Sequence, residues 1–213
     1  GATSGTQQTA AKAVIDPAVQ IGMPFGYDNS SISGPVKSLG LASFYDFSQA
    51  DRTRMNKTTA RAYLVTASQT NLLIAEAITK GWVSGNAKDY FDAGVKAHMD
   101  QVSEMDANSV VSSVAADAYL AANPFSATTA LEQINTQYWI SCFLNGPEAF
   151  ANFRRSGFPK LTANPFPGKA IKGDFINRLT YPNSEISVNS VNVKAAIANQ
   201  GADDLDTKVW WHK

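Results

Sequence analysis

The amino-acid sequence predicts a mostly α-helical protein: a helical-hairpin scaffold of tetratricopeptide-like size, carrying long loops and a few short strands. Two observations carry that prediction. Apolar residues recur at helical spacing in successive segments from Arg61 onward, each closed by glycine, asparagine or proline, whereas residues 1–60 show no such pattern.

Residues 1–60 are rich in Gly, Ser, Thr and Asn, with scattered aromatics at Phe25, Tyr27, Phe44, Tyr45 and Phe47. Pro17, Pro24 and Pro35, together with Gly22, Gly26, Gly34 and Gly40, interrupt this stretch too often for a long helix. It is expected to form short strands and loops lying against something else, because it has few consecutive core-facing positions. Its start, Gly1-Ala2-Thr3-Ser4-Gly5, is neither an initiator methionine nor a basic stretch leading into an apolar one, and reads as a cut end.

Beyond Arg61, Leu64, Ala67, Leu72, Ile74, Ala75, Ile78 and Trp82 share about half of a helical wheel, with Leu73 on the far side, so this helix is expected to be buried on nearly all sides. Gly81 stops it, and Ser84 or Asn86 can cap the next helix. That second helix, 87–105, places Phe91, Gly94, Val95, His98, Val102 and Met105 opposite Lys88, Asp92, Lys96 and Asp100. The two form an αα-hairpin with the small Gly94 at the crossing, which needs neighbours to cover its face. Further helices are expected at 111–122, ended by Asn123-Pro124, and at 127–144, capped by Ser126 and with Leu131, Ile134, Tyr138 and Cys142 on one stripe beside Trp139. Pro147–Ser156 follows, with Pro147 in its first turn and Gly157 as its stop. Residues 157–188 read as loop, and a last helix spans 191–199, ended by Gly201. The division expected is therefore a loop-rich, ligand-side segment 1–60 and a helical region 61–213 that forms one structural unit.

Composition narrows the functional classes. Eighteen basic residues balance eighteen acidic ones, which gives none of the clustered positive charge that phosphate neutralisation requires, so no nucleic-acid partner is expected. No apolar run approaches the roughly 18 residues of a membrane-spanning helix. The lone Cys142 excludes an internal disulfide and a thiolate metal cluster, and no His pair supports a metal site. No glycine-rich loop with the spacing and lysine of a phosphate cradle exists, nor a Gly-x-Ser-x-Gly elbow, so neither a cofactor nor a catalytic residue is assigned.

Individual residues have mostly structural readings. His98 lies on an apolar stripe and reads as a core or hydrogen-bonded histidine, while His212 reads as solvated. Glu148 and the pair Arg154-Arg155 suit the two ends of one helix dipole, with anion binding by the arginines as the functional alternative. Asp203, Asp204 and Asp206 read as a solvated tail, since the glycine and terminal Glu of a calcium loop are missing. Trp82, Trp139, Trp210 and Trp211 read as packing residues at helix ends. The loop aromatics Tyr27, Phe44, Tyr45 and Phe47 are the better ligand candidates, because apolar sugar faces pack on aromatic planes; Tyr27, Phe44 and Tyr45 are the expected platforms, with Asp28 or Asn29 reaching hydroxyls.

Three stretches, in order, carry a family resemblance. They are Leu72-Leu73-Ile74-Ala75-Glu76-Ala77-Ile78 with Gly81-Trp82 and Ala87 through Gly94; Ala130 through Ile140 with Asn145-Gly146-Pro147-Glu148-Ala149-Phe150 and Arg154-Arg155-Ser156-Gly157-Phe158-Pro159; and Arg178 through Glu185 with Asp203-Asp204-Leu205 through Trp211. Over about residues 60–211 the chain resembles the C-terminal half of the SusD/RagB family of Bacteroidetes outer-membrane nutrient-binding lipoproteins. The resemblance implies a SusD-like, non-catalytic protein with a tetratricopeptide-like scaffold, anchored at the cell surface by an N-terminal lipid that this chain lacks. It implies capture of a glycan or peptide and delivery into a SusC-like TonB-dependent transporter. It carries over no binding residue. A glycan hydrolase fragment with paired carboxylates and a protein-binding tetratricopeptide-type adaptor are the competing readings.

Overall fold

A computed structural model describes residues 16–55 and 57–212; the expected cut end at Gly1–Gly5 lies outside the described residues. The chain divides into two compact units, residues 1–60 with 163–175, and residues 61–162 with 176–213. Segment 163–175 thus groups with the N-terminal stretch and not with the helices that flank it in sequence.

The first unit contains the short helices α1 (Ser33–Ser38) and α2 (Arg52–Met55) and 3-10 turns at Pro17–Val19 and Phe44–Asp46. The expected short strands do not form among the described residues. Their place is taken by turns whose backbone groups are satisfied locally by side chains, as where Asp16 accepts from Ala18 N at 2.9 Å. Among the described residues, Ile32 and Phe47 are the buried apolar ones here.

The second unit is built on the predicted hairpin, α3 (Ala67–Thr79) and α4 (Ala87–Ser103). Helix α3 starts at Ala67 and not at Arg61, because Thr66 and Gln69 form a reciprocal capping box: Thr66 Oγ1 accepts from Gln69 N at 3.1 Å and Gln69 Oε1 from Thr66 N at 2.9 Å. Burial of α3 on nearly all sides is not observed. Ser68, Gln69, Leu72, Ala75 and Glu76 make one buried face, whereas Leu73 is 44% exposed and Leu64, before the helix, 86%. Of the two caps proposed for α4 the structure uses Asn86, which accepts from Lys88 N at 3.1 Å. Gly94 does mark the crossing: a Cβ there would lie 2.7 Å from Leu72 Cγ and 3.3 Å from the Ser68 carbonyl.

Helices α5 (Ser113–Ala122), α6 (Ala130–Ser141) and α7 (Gly146–Ser156) follow. Helix α6 packs on α3, α7 on α6, and α5 on α4. Leu72 and Ala75, Phe91 and Val95, and Ala130, Ile134, Tyr138 and Cys142 form one core, with Met99, Leu120, Phe125 and Ala149 at its edge. The expected Ser126 cap is not used; α6 begins after Thr129, and Gln133 reaches back to bond Ser126 N at 2.8 Å and the Pro124 carbonyl at 2.9 Å. Gly157 closes α7 at φ 76°, a left-handed conformation that glycine adopts without the Cβ penalty. The stretch 157–188 is not all loop, since α8 (Asn183–Val188) precedes α9 (Ser190–Gln200) and packs against it. Among the described residues no helix is long and apolar enough to cross a membrane.

Candidate ligand-binding site

Phe44 and Tyr45 sit on a 3-10 turn fastened at both ends. Ser43 Oγ accepts from Tyr45 N at 3.2 Å, while Asp46 Oδ2 accepts from Ala42 N at 2.8 Å and Ser43 N at 3.1 Å. Phe47, expected among the ligand aromatics, is buried and takes no part in the exposed surface, whereas Phe44 is exposed and Tyr45 half-buried. Their ring centroids are 4.0 Å apart with planes 35° apart, and Phe44 is 40% exposed. Ser48 N donates to the Ile21 carbonyl at 2.7 Å and Ser48 Oγ to Gln20 Oε1 at 2.6 Å, tying the turn to residues 20–21.

Tyr27, 43% exposed, precedes a second locked turn. Asp28 Oδ1 accepts from Ser30 N, Ser31 N and both serine hydroxyls at 2.7–3.0 Å. These bonds, those from Ser31 foremost, hold the Asp28 carboxyl well below the usual carboxylate range. Asp28 is thus first a turn-former, its Oδ1 taking all four of these bonds, with exposed Asn29 beside it. Among the described residues no ring contact joins Tyr27 to the Phe44–Tyr45 pair.

Sequence reasoning passed over a third turn in the same unit. Gly26, at φ +86°, lies so close to segment 163–175 that a Cβ would meet Asn164 Oδ1 at 2.7 Å and Pro165 Cδ at 2.8 Å. The signal that could have found it is the pattern Asn164-Pro165-Phe166-Pro167-Gly168, an aromatic flanked by turn formers like Tyr27 and Phe44.

The charged candidates of the helical unit are all used internally. Arg155 grips Glu76 with two bonds of 2.6 and 2.8 Å and also reaches Asn135 at 3.2 Å and Asn152 at 2.6 Å. Burial pushes the Glu76 carboxyl up, but the bonds from Arg155 and Lys80 outweigh it and bring its pKa down to about 2. Arg154 lies between the rings of Phe150 and Trp211, at 4.0 and 4.6 Å, and donates to the Asn177 carbonyl at 2.8 Å. The anion-binding alternative for these arginines therefore gives way to packing and pairing.

Glu148, at the start of α7, accepts the Tyr138 hydroxyl at 2.7 Å. Asp203 is not part of a solvated tail: it pairs with buried Arg178 at 2.8 Å and accepts from Tyr181 N at 3.1 Å, while Asp204 caps its own turn through Thr207 N at 2.7 Å. His98 is half-buried, and burial pulls its pKa down. His212 is not fully solvated, for its Nδ1 is shut off from solvent, and burial with the charges of Lys208 and Arg154 lowers its pKa. Of the tryptophans expected to pack, Trp82 and Trp210 are 71% and 93% exposed and Trp139 is exposed as well; Trp211 is half-buried on Arg154. Buried Cys142 takes a bond from Gln69 Nε2 at 3.5 Å, and burial raises its thiol pKa.

The helical unit has helical-hairpin architecture, and the loop-rich unit carries exposed rings on separate fastened turns. Residues 20–182 match the SusD-like family described as starch-binding and associating with the outer membrane, and the chain belongs to that family. The family is one of non-catalytic binding proteins. Similar solved structures include a chitin-binding protein at 39% identity, TM-score 0.64, with 68% of this chain and 32% of that one covered. A Bacteroidetes AC2a SusD-like protein is 34% identical at TM-score 0.62, over 68% of this chain and 29% of that one. A SusD homologue from Bacteroides fragilis is 26% identical at TM-score 0.61, over 68% and 34%. The chain thus spans about a third of the length of these solved relatives. No curated protein matches it.

Proposed function

We propose that this protein binds a glycan at the surface of the outer membrane without altering it and hands it to a TonB-dependent, SusC-like transporter, held there by an N-terminal lipid. Residues 1–60 are the ligand side. The observation that carries the reading is the Phe44–Tyr45 pair on its capped turn, two rings in mutual contact, Phe44 exposed and Tyr45 half-buried. Such rings offer apolar planes to sugar faces, while Tyr27, Asn29 and Asp28 Oδ2 offer polar atoms to hydroxyls. Because the turns are fastened by their own hydrogen bonds, little ordering cost accompanies binding. The chitin-binding relative makes β-linked N-acetylglucosamine oligomers the first ligands to try, with starch oligomers second and peptides third.

Calorimetry of the intact protein against these ligands tests the reading. Saturable binding without product release is expected, with Tyr45→Ala or Tyr27→Ala weakening affinity roughly tenfold while leaving the melting temperature unchanged. Unaltered affinity in both variants removes these residues from the site, and shortened oligosaccharides in the cell would overturn the non-catalytic reading.

A further inference from the structure

We infer that the turn Asn164–Gly168 is a second sugar platform of this protein, with Phe166 as its stacking ring and Asn164 as its polar contact. The inference rests on the glycan-binding reading above and extends it to an oligosaccharide that spans two platforms. Three observations support it.

The turn is built to hold one ring still. Asn164 Oδ1 accepts from Phe166 N at 2.9 Å, and Lys169 N bonds the Phe166 carbonyl at 3.2 Å. The ring rests against Gly168, where a Cβ would lie 2.6 Å from Phe166 Cε1, and yet it remains 38% exposed. Any side chain at position 168 would displace it.

The turn also lies close to Tyr27, one of the residues of the first site. A Cβ on Gly26 would lie 2.8 Å from Pro165 Cδ, so the two residues approach closely. Phe25 and Tyr27 flank Gly26, and Phe166 follows Pro165, so with about 3.8 Å between successive Cα atoms these rings spring from backbone positions within about 14 Å of one another. A short oligosaccharide can reach across any separation up to that limit.

Finally, the polar group is unspent. Asn164 is exposed and uses its carbonyl oxygen for the turn, which leaves its Nδ2 donors for a ligand hydroxyl or acetamido oxygen.

Calorimetry with the N-acetylglucosamine hexamer and with maltohexaose, on the intact protein, decides the matter. Phe166→Ala is expected to bind whichever hexamer the wild type binds roughly three- to tenfold more weakly, with Phe166→Trp restoring affinity. Asn164→Asp keeps the turn acceptor and removes the donors, so it weakens binding at an unchanged melting temperature. If Phe166→Ala proves unstable, Phe166→Trp and Asn164→Asp carry the test alone. Wild-type affinity in Phe166→Ala and Asn164→Asp, with loss in Tyr45→Ala, overturns the second platform and leaves the proposed function standing. No binding of either hexamer, or of any glycan on an array, by the wild type overturns both.

Discussion

Replacing Glu76 by glutamine removes one charge and almost no volume from a buried site. Glu76 is about 4% exposed, and it receives two bonds from Arg155 and one from Lys80 at 2.6 Å. The amide would still accept one guanidinium donor, but its NH2 would face another donor. Breaking a buried pair costs about 3–5 kcal/mol, because the remaining charge stays uncompensated. Arg155 softens that cost here, since its side chain is 35% exposed and keeps Asn135 and Asn152 as acceptors. A loss of about 2–4 kcal/mol follows, or roughly 5–15 °C in melting temperature for a chain of this size. The pH dependence gives an independent reading. A carboxyl whose pKa falls from 4.5 to about 2 on folding stabilises the protein fully above the unfolded value, by about 3 kcal/mol. That contribution is lost as pH falls from about 4.5 through about 2. Urea denaturation followed by far-ultraviolet circular dichroism, from pH 7 down to pH 3, measures both effects. Wild type should lose stability more steeply than Glu76→Gln below the unfolded pKa. A cost under about 0.5 kcal/mol at pH 7, the size of a surface change, or parallel pH curves, would refute the argument that this pair is desolvated and locked.

Two further stability tests probe packing and the C-terminal closure. Gly94→Ala gains up to about 1 kcal/mol of helix propensity but forces a methyl against Leu72 and the Ser68 carbonyl, which costs about 1–3 kcal/mol, so a net loss is expected in urea denaturation. A stabilised variant would mean that Leu72 yields freely. Arg178→Met strands the Asp203 carboxylate with the Tyr181 amide, and should cost about 2–4 kcal/mol. Amide exchange should quicken in 176–182 and 201–207 before it does in α3 and α4; uniform quickening would show the pair to be part of the central core.

The helices were legible because their signals are local. Periodic apolar residues and a cap or stop at each end located α4, α5 and α7 to within about two residues. The start of α3 was legible too, but in the Thr66-Ala67-Ser68-Gln69 capping box and not in hydropathy, which Leu64 and Val65 extend misleadingly into exposed chain. Helix α8 had no such signal: it is two turns long, lacks a side-chain cap, and leaves Val188 exposed. Pairings between distant positions were not legible at all. Glu76 bonds a residue 79 positions away, and only its place on the buried face, one turn beyond Leu72, hints that its charge needs a partner. The site divides in the same way. Tyr27, Phe44 and Tyr45 could be named because aromatics in turn-rich sequence are hard to bury; Phe166 sits in a similar pattern, but its approach to Gly26 is a chain crossing that no spacing records.

One device links the candidate binding residues. Each ring adjoins an Asp or Asn that spends its side chain on the backbone: Tyr27 on Asp28, Phe44 and Tyr45 on Asp46, Phe166 on Asn164. A side chain that bonds neighbouring amides fixes the local backbone without help from a hydrophobic core, so a loop can present a ring in one orientation. Rigidity therefore has two sources in this protein. In the helical unit it comes from burial and the Glu76–Arg155 network, which ties α3, α6 and α7 together through Asn135 and Asn152. In the loop-rich unit it comes in part from these short side-chain-to-backbone bonds. Ring identity can then change while the turns persist, which is what the proposed stacking of sugars on these rings would require.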